Sequence, residues 1–268
     1  SYVSFPNNNT YYNVKYGTFT GTASDPSPGT GVSYVRIRIQ RVSDGQWWRN
    51  TYWGDSYEMT ASFAAPNWEF YIAATDRNTF YENSEEKYLI YSQAEDFAGN
   101  KETLTAKCTF YYDVVEPTTS VKLPATTGSN EYYTTGDAID SMLWGEFYDG
   151  WSGISRIDIK ISSGSYYWTG SSWTTTEQWT NSPADIWASS WTYTSLPSWQ
   201  NGAVYTITSR AEDNAGNVES SPPSNQFTYD TSEPYSFVTT PVDGSGYESM
   251  NTISGTAGDD LSGVDYVR

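Results

Sequence analysis

The chain has 268 residues, with 32 Asp and Glu against 14 Lys and Arg, and no histidine. A formal charge of −18 repels nucleic acid and anionic lipid, and the missing histidine removes Ser-His-Asp triads, histidine general bases and histidine-bearing zinc sites. The single cysteine, Cys108, forms no internal disulfide and reads as a small buried residue on a strand.

In chain order, "VSYVRIRIQRV" (Val32 to Val42) alternates apolar and polar residues and sets Val35, Ile37 and Ile39 on one buried face. "ISRIDIKIS" from Ile154 does the same with Ile157, Ile159 and Ile161. Turn-forming clusters such as "SDPSPGTG", "GSSW" and "SSPPSN" punctuate these segments, and no stretch of ten residues keeps a helical period. The expected fold class is all-β. In the second half, further strands are predicted near "SVKLPA", "DSMLWGEF", "VYTITSRAE" and "NQFTYD", around an aromatic middle from Tyr166 to Tyr193.

Repetition organises the chain. "QAEDFAGN" (Gln93 to Asn100) returns as "RAEDNAGN" (Arg210 to Asn217), and Asp113 and Glu116 return as Asp230 and Glu233, all offset by 117 residues. A second pattern occurs three times: a glycine, an Asp four residues later, then Gly-Val or Gly-Ile opening the next strand. It begins at Gly21, Gly145 and Gly255 and carries Asp25, Asp149 and Asp259. The expected domains are 1–117, 118–234, and 235–268 as the start of an incomplete third repeat, which makes the chain a segment of something longer. No apolar run approaches the roughly 20 residues of a membrane span, and no signal peptide precedes Ser1, so a soluble segment is expected. About 117 residues with seven or so strands fit an immunoglobulin-like sandwich, here in an elongated tandem array.

In a tandem array of such sandwiches, the end of each last strand runs into the pole of the next module that carries its acidic loops. Asp113 and Glu116 are thus expected near Asp149, Glu212 and Asp213, and Asp230 and Glu233 near Asp259 and Asp260. At the other end, Asp25, Glu95, Asp96 and Asn100 form the equivalent pole without a preceding linker. Converging carboxylates repel, and a hard cation with six to eight oxygen ligands relieves that; calcium suits this better than magnesium, which keeps its waters. The alternative for each acidic loop is a solvated turn, with Asp213 capping its own hairpin. The tryptophans also admit two readings: packing within the sandwich, or stacking of a glycan on exposed rings, with Trp168 and Trp173 as candidate ligand-binding residues.

"AEDNAGN" followed by "YDTSEP" resembles the Asp-x-Ala-Gly-Asn and Asp-Thr-x-x-Pro elements of bacterial immunoglobulin-like repeats of giant surface adhesins. The resemblance covers both repeats, although the first linker reads "DVVEP". It implies extended extracellular stalks stiffened by calcium, with Asp213, Asn217 and Asp230 as ligands alongside Asp96, Asn100 and Asp113. The expected function is a non-catalytic stalk or shaft whose partners are neighbouring repeats of the same chain. The alternatives are a carbohydrate-binding module of a polysaccharide-degrading protein and a filament subunit pairing with other copies of itself; neither nucleic acid nor membrane insertion is expected.

Overall fold

Val35, Ile37 and Ile39 are fully buried along the strand Val32–Arg41, and the residues alternating with them are partly exposed. The computed structural model, which describes residues 1–125, 131–180 and 182–268, repeats this pattern along Ile154–Ser163, where Ile157, Ile159 and Ile161 are buried. β-branched side chains on a pleated strand fill one face and leave the polar ones wet.

Contacts divide the chain into two units. The first comprises residues 1–117 with 149–155 and 212–218; the second comprises 118–148, 156–211 and 219–268. One sheet of the first unit orders Tyr2–Phe5, Thr18–Thr22, Asn67–Tyr71 and Ser62–Ala64. The other orders Thr10–Tyr12, Ala106–Asp113, Glu85–Asp96, Val32–Arg41, Trp47–Trp48 and Trp53–Gly54. The fold is a β-sandwich, with Phe19, Ile37, Trp48, Trp68, Tyr88 and Phe110 in its core. Each such side chain contributes roughly 1.5–3 kcal/mol by leaving water.

The second unit contains a four-stranded sheet of Thr118–Leu123, Leu143–Tyr148, Ser190–Tyr193 and Asp185–Trp187. A six-stranded sheet orders Glu131–Tyr133, Ser224–Tyr229, Val204–Asp213, Ile154–Ser163, Tyr166–Trp168 and Trp173–Thr174. Leu143, Ile159, Trp191, Tyr205, Ile207 and Phe227 are buried between them. Two short helical turns, Arg77–Phe80 and Ala138–Asp140, interrupt the β-structure. Both are too short to leave a 3.6-residue period in the sequence, but the first delivers Phe80 onto Trp48, Trp53 and Tyr88.

The glycine that heads each aligned segment has a steric cause. A Cβ on Gly145 would lie 1.8 Å from the Ser120 carbonyl oxygen and 2.7 Å from the Trp191 ring, and the Trp191 indole donates to that same carbonyl at 3.1 Å. In the first unit a Cβ on Gly21 would meet Tyr2 O at 2.0 Å and the Trp68 ring at 2.3 Å, and Trp68 donates to Tyr2 O at 3.1 Å. The missing side chain makes room for an indole that satisfies a neighbouring strand's carbonyl.

Residues 235–268 contribute a two-stranded hairpin, Tyr235–Thr240 against Ser254–Gly258. Val238 pairs with Gly255 as Val3 does with Gly21 and Val121 with Gly145. Val3 and Val121 are buried, whereas Val238 is 67% exposed. Among the described residues no helix is long and apolar enough to cross a membrane.

Candidate metal centre

Three acids separated in sequence meet within the first unit. Asp113 ends the strand Ala106–Asp113, Asp149 follows Leu143–Tyr148, and Asp213 ends Val204–Asp213. Each thus stands where a strand gives way to a loop. One carboxylate oxygen from each lies within 4.8 Å of the others. Asp113 and Asp213 are almost wholly buried, and Asp149 is half-buried.

Local hydrogen bonds orient these carboxylates. Asp213 Oδ1 accepts from the Ala215 and Asn217 main-chain N–H groups at 2.9 and 2.8 Å, and its Oδ2 accepts from the Asn217 side-chain amide at 2.7 Å. Gly216 turns this loop with φ of 92°, a conformation that favours glycine. Asp149 Oδ2 accepts from the N–H groups of Trp151 and Gly153, and Asp113 Oδ1 accepts from Val115 N–H at 3.0 Å. The Asn214 side chain donates to Ser152 O at 2.8 Å and so joins the two acidic loops.

That leaves Asp113 Oδ2 and Asp149 Oδ1 buried without a hydrogen-bond partner. Burial pushes the Asp113 carboxyl above its ordinary value, and the negative charges of Asp213 and Asp149 add to the rise. The Ser152 hydroxyl and Val115 N–H oppose it, although the Ser152 oxygen reaches no partner with ordinary hydrogen-bond geometry. Buried carboxylates that raise one another's energy and keep unsatisfied oxygens call for a positive partner. Two ligands of one calcium ion lie no more than about 5 Å apart, given ligand distances of roughly 2.3–2.6 Å, and the three oxygens meet that limit. The donor set fits a hard cation.

The other acids expected at this pole stand apart from the trio: Glu116 is exposed and Glu212 half-buried. Asp230 and Asp259 both accept from Ser262 N–H, at 3.2 and 2.8 Å, whereas Glu233 and Asp260 are exposed. At the remaining pole Asp96 caps its own turn through Ala98 and Asn100, Asp25 accepts from Gly31 N–H, and Lys101 lies 3.6 Å from Glu95. That lysine brings a positive charge into the acidic loop. No second group of three carboxylates lies as close together among the described residues.

Asp96 and Asp213 thus cap their own turns in the same way, but Asp213 is buried rather than solvated, and Asp113 and Asp149 make the difference there. The spacing contained that signal only through the tandem-junction argument. Trp168 needs a correction. It is 9% exposed and donates to Ser195 O at 2.7 Å, so it offers no open face for a sugar. Trp173 is half-buried beside it, with ring centres 5.5 Å apart.

No family model and no curated protein matches the chain. Its structural neighbours are bacterial adhesin repeats and fibronectin III-like modules. A tetra-tandem repeat from the extending region of a large adhesion protein is 17% identical, over 86% of this chain and 50% of that one, with a TM-score of 0.32. The fibronectin(III)-like modules of Clostridium thermocellum CbhA are 14% identical, over 85% of this chain and 93% of theirs, at 0.35. A Ca2+-stabilised adhesin with which an Antarctic bacterium binds ice is 13% identical, over 86% of this chain and 49% of that one, at 0.30. This chain thus spans about half the length of either adhesin structure it matches. The reading of the site rests on its own geometry.

Proposed function

We propose that the chain is a non-catalytic structural segment, part of the stalk or shaft of an extracellular surface adhesin or filament, with calcium held by Asp113, Asp149 and Asp213. In this reading residues 1–117 and 118–234 are tandem immunoglobulin-like repeats of the bacterial adhesin type, and 235–268 open a third. The observation that carries the cation is the pair of buried, unpartnered oxygens, Asp113 Oδ2 and Asp149 Oδ1, beside a third buried acid.

A bound calcium ion would supply charge neutralisation. Asn217 holds the Asp213 carboxylate and the Asp113 main chain together, so the ligands would be in place beforehand. Such an ion would tie strand ends far apart in sequence and oppose their separation under tension.

The test is calorimetric unfolding of the whole chain in about 1 mM calcium and in chelator. A ligand at 100 times its dissociation constant that binds only the folded state adds about 2.7 kcal/mol, so calcium should raise the melting temperature and Asp113→Asn should lose most of the gain. Superimposable curves would sink the calcium assignment.

A further inference from the structure

At one place in the fold the two repeats differ by two side chains. In the first, Gln40 faces Trp47 and the next residue is Arg41; in the second, Ser162 faces Tyr167 and the next residue is Ser163. By the same register Trp48 and Trp53, which face each other, correspond to Trp168 and Trp173. Tyr88, opposite Phe110, corresponds to Tyr205, opposite Phe227, and Glu86, two residues before Tyr88, to Ala203.

In the first repeat this position is closed. The Arg41 guanidinium lies 4.8 Å from the centre of the Trp53 ring and is held there by Asp44 and Glu82. Glu86, itself buried, fills the adjoining space and accepts from Ser43 and Asn83. In the second repeat Ser163 and Ala203 replace the two long side chains. A groove of about 290 Å3 opens there, lined by Ser163, Tyr166, Trp173, Gln200, Ala203 and Tyr205. Tyr166 is 55% exposed on one side. Trp173 packs against Tyr205, with ring centres 6.1 Å apart and ring planes at 32°.

We infer that this groove binds a neutral pyranose unit of a glycan. None of its lining side chains is charged at neutral pH, on a chain of net charge −18, so neither an anion nor a cation finds a counter-charge there. Aromatic faces take the C–H face of a sugar ring, and hydroxyl and amide groups such as those of Ser163 and Gln200 pair with its hydroxyls. The volume falls just below the roughly 300–1,000 Å3 of small-molecule sites, which suits one or two rings. The groove shares no residue with the acidic trio and does not depend on calcium.

The probes are cellohexaose, maltohexaose, xylohexaose, mannohexaose and chitohexaose, each titrated to millimolar concentration into the whole chain in chelator while tryptophan emission is followed. At least one should give a saturable change, and Trp173→Ala should weaken it about tenfold, the order expected for loss of one aromatic contact. Ser163→Arg restores the lid of the first repeat and should weaken it equally with an unchanged melting temperature, which guards against misfolding of the tryptophan variant. The inference is overturned by the absence of a saturable response to all five, or by a response that both variants retain. Self-association in sedimentation that Ser163→Arg abolishes, without any sugar response, would overturn it in favour of a second copy of the chain as occupant.

Discussion

The Asn217 side-chain amide donates to the Asp113 main-chain oxygen at 3.0 Å, across 104 positions of sequence. The same amide donates to Asp213 Oδ2 at 2.7 Å. Asn100, its counterpart 117 residues earlier, makes the corresponding contact with Asp96 Oδ2 at 2.7 Å on an exposed turn. Asn217→Ala should therefore cost about 1–2 kcal/mol more than Asn100→Ala, because it leaves a buried carboxylate and a carbonyl short of a donor. Guanidinium denaturation midpoints of the two variants decide this. Equal losses would mean that the amide matters only to its own turn.

Asp113 tests the charge argument separately from the turn. Asp113→Asn keeps the shape and removes one of three neighbouring negative charges, so in chelator the variant should melt higher than the parent, by roughly 2–4 °C for each kcal/mol relieved. In calcium the order should reverse, since an amide is the poorer ligand. A variant less stable in both conditions would show that the carboxylate is needed for the fold itself.

Glu102 sets an acid limit on the first unit. Burial alone would raise its carboxyl, but the Lys107 ammonium, the Ser1 amine and hydroxyl, and Ala94 N–H pull it down to about 2. A carboxyl depressed in the folded state contributes stability above its unfolded value, about 4.3 for Glu, and loses it as pH falls toward the folded value. Glu102→Gln should thus cost about 1–3 kcal/mol at pH 7 and progressively less between roughly pH 4 and 2. Melting temperatures of both proteins over that range provide the check, and a gap independent of pH would remove the ion pairs from the explanation.

Gly145→Ala should be among the most damaging single-methyl changes in the chain. Its Cβ would press on backbone at 1.8 Å and on a fully buried indole, and overpacking of this kind costs roughly 3 kcal/mol. Gly21→Ala should match it. Gly164, whose Cβ would meet nothing within 4 Å but whose φ is 56°, should lose only about 1 kcal/mol to backbone strain. Thermal melts would separate the two causes.

The strands were legible because period-two patterns such as Val35, Ile37 and Ile39 state which face is buried. The repeat was legible because its turns need particular residues: the acidic loop returns with Asp, Gly and Asn in the same places. The roles of individual acids were less so. Asp96 and Asp213 have the same neighbours in sequence and make the same turn, and only Asp213 meets two further carboxylates. The tryptophans were the hardest to place, since Trp168 and Trp173 stand five residues apart and differ in exposure through side chains elsewhere on the sheet. The groove was not legible at all, because only the strand register sets Ser163 where the first repeat has Arg41.

The indole set over a glycine has a use of its own. Trp191 is bonded to the Ser120 carbonyl and Trp68 to that of Tyr2, so neither ring can keep its surroundings if the first strand of its four-stranded sheet peels away. Each is a built-in optical gauge of that strand, emitting at short wavelength while the strand is docked and shifting to the red when water reaches the ring. Opening of an outer strand, which precedes global unfolding in many domains, would then be visible in the protein's own fluorescence, with no added label.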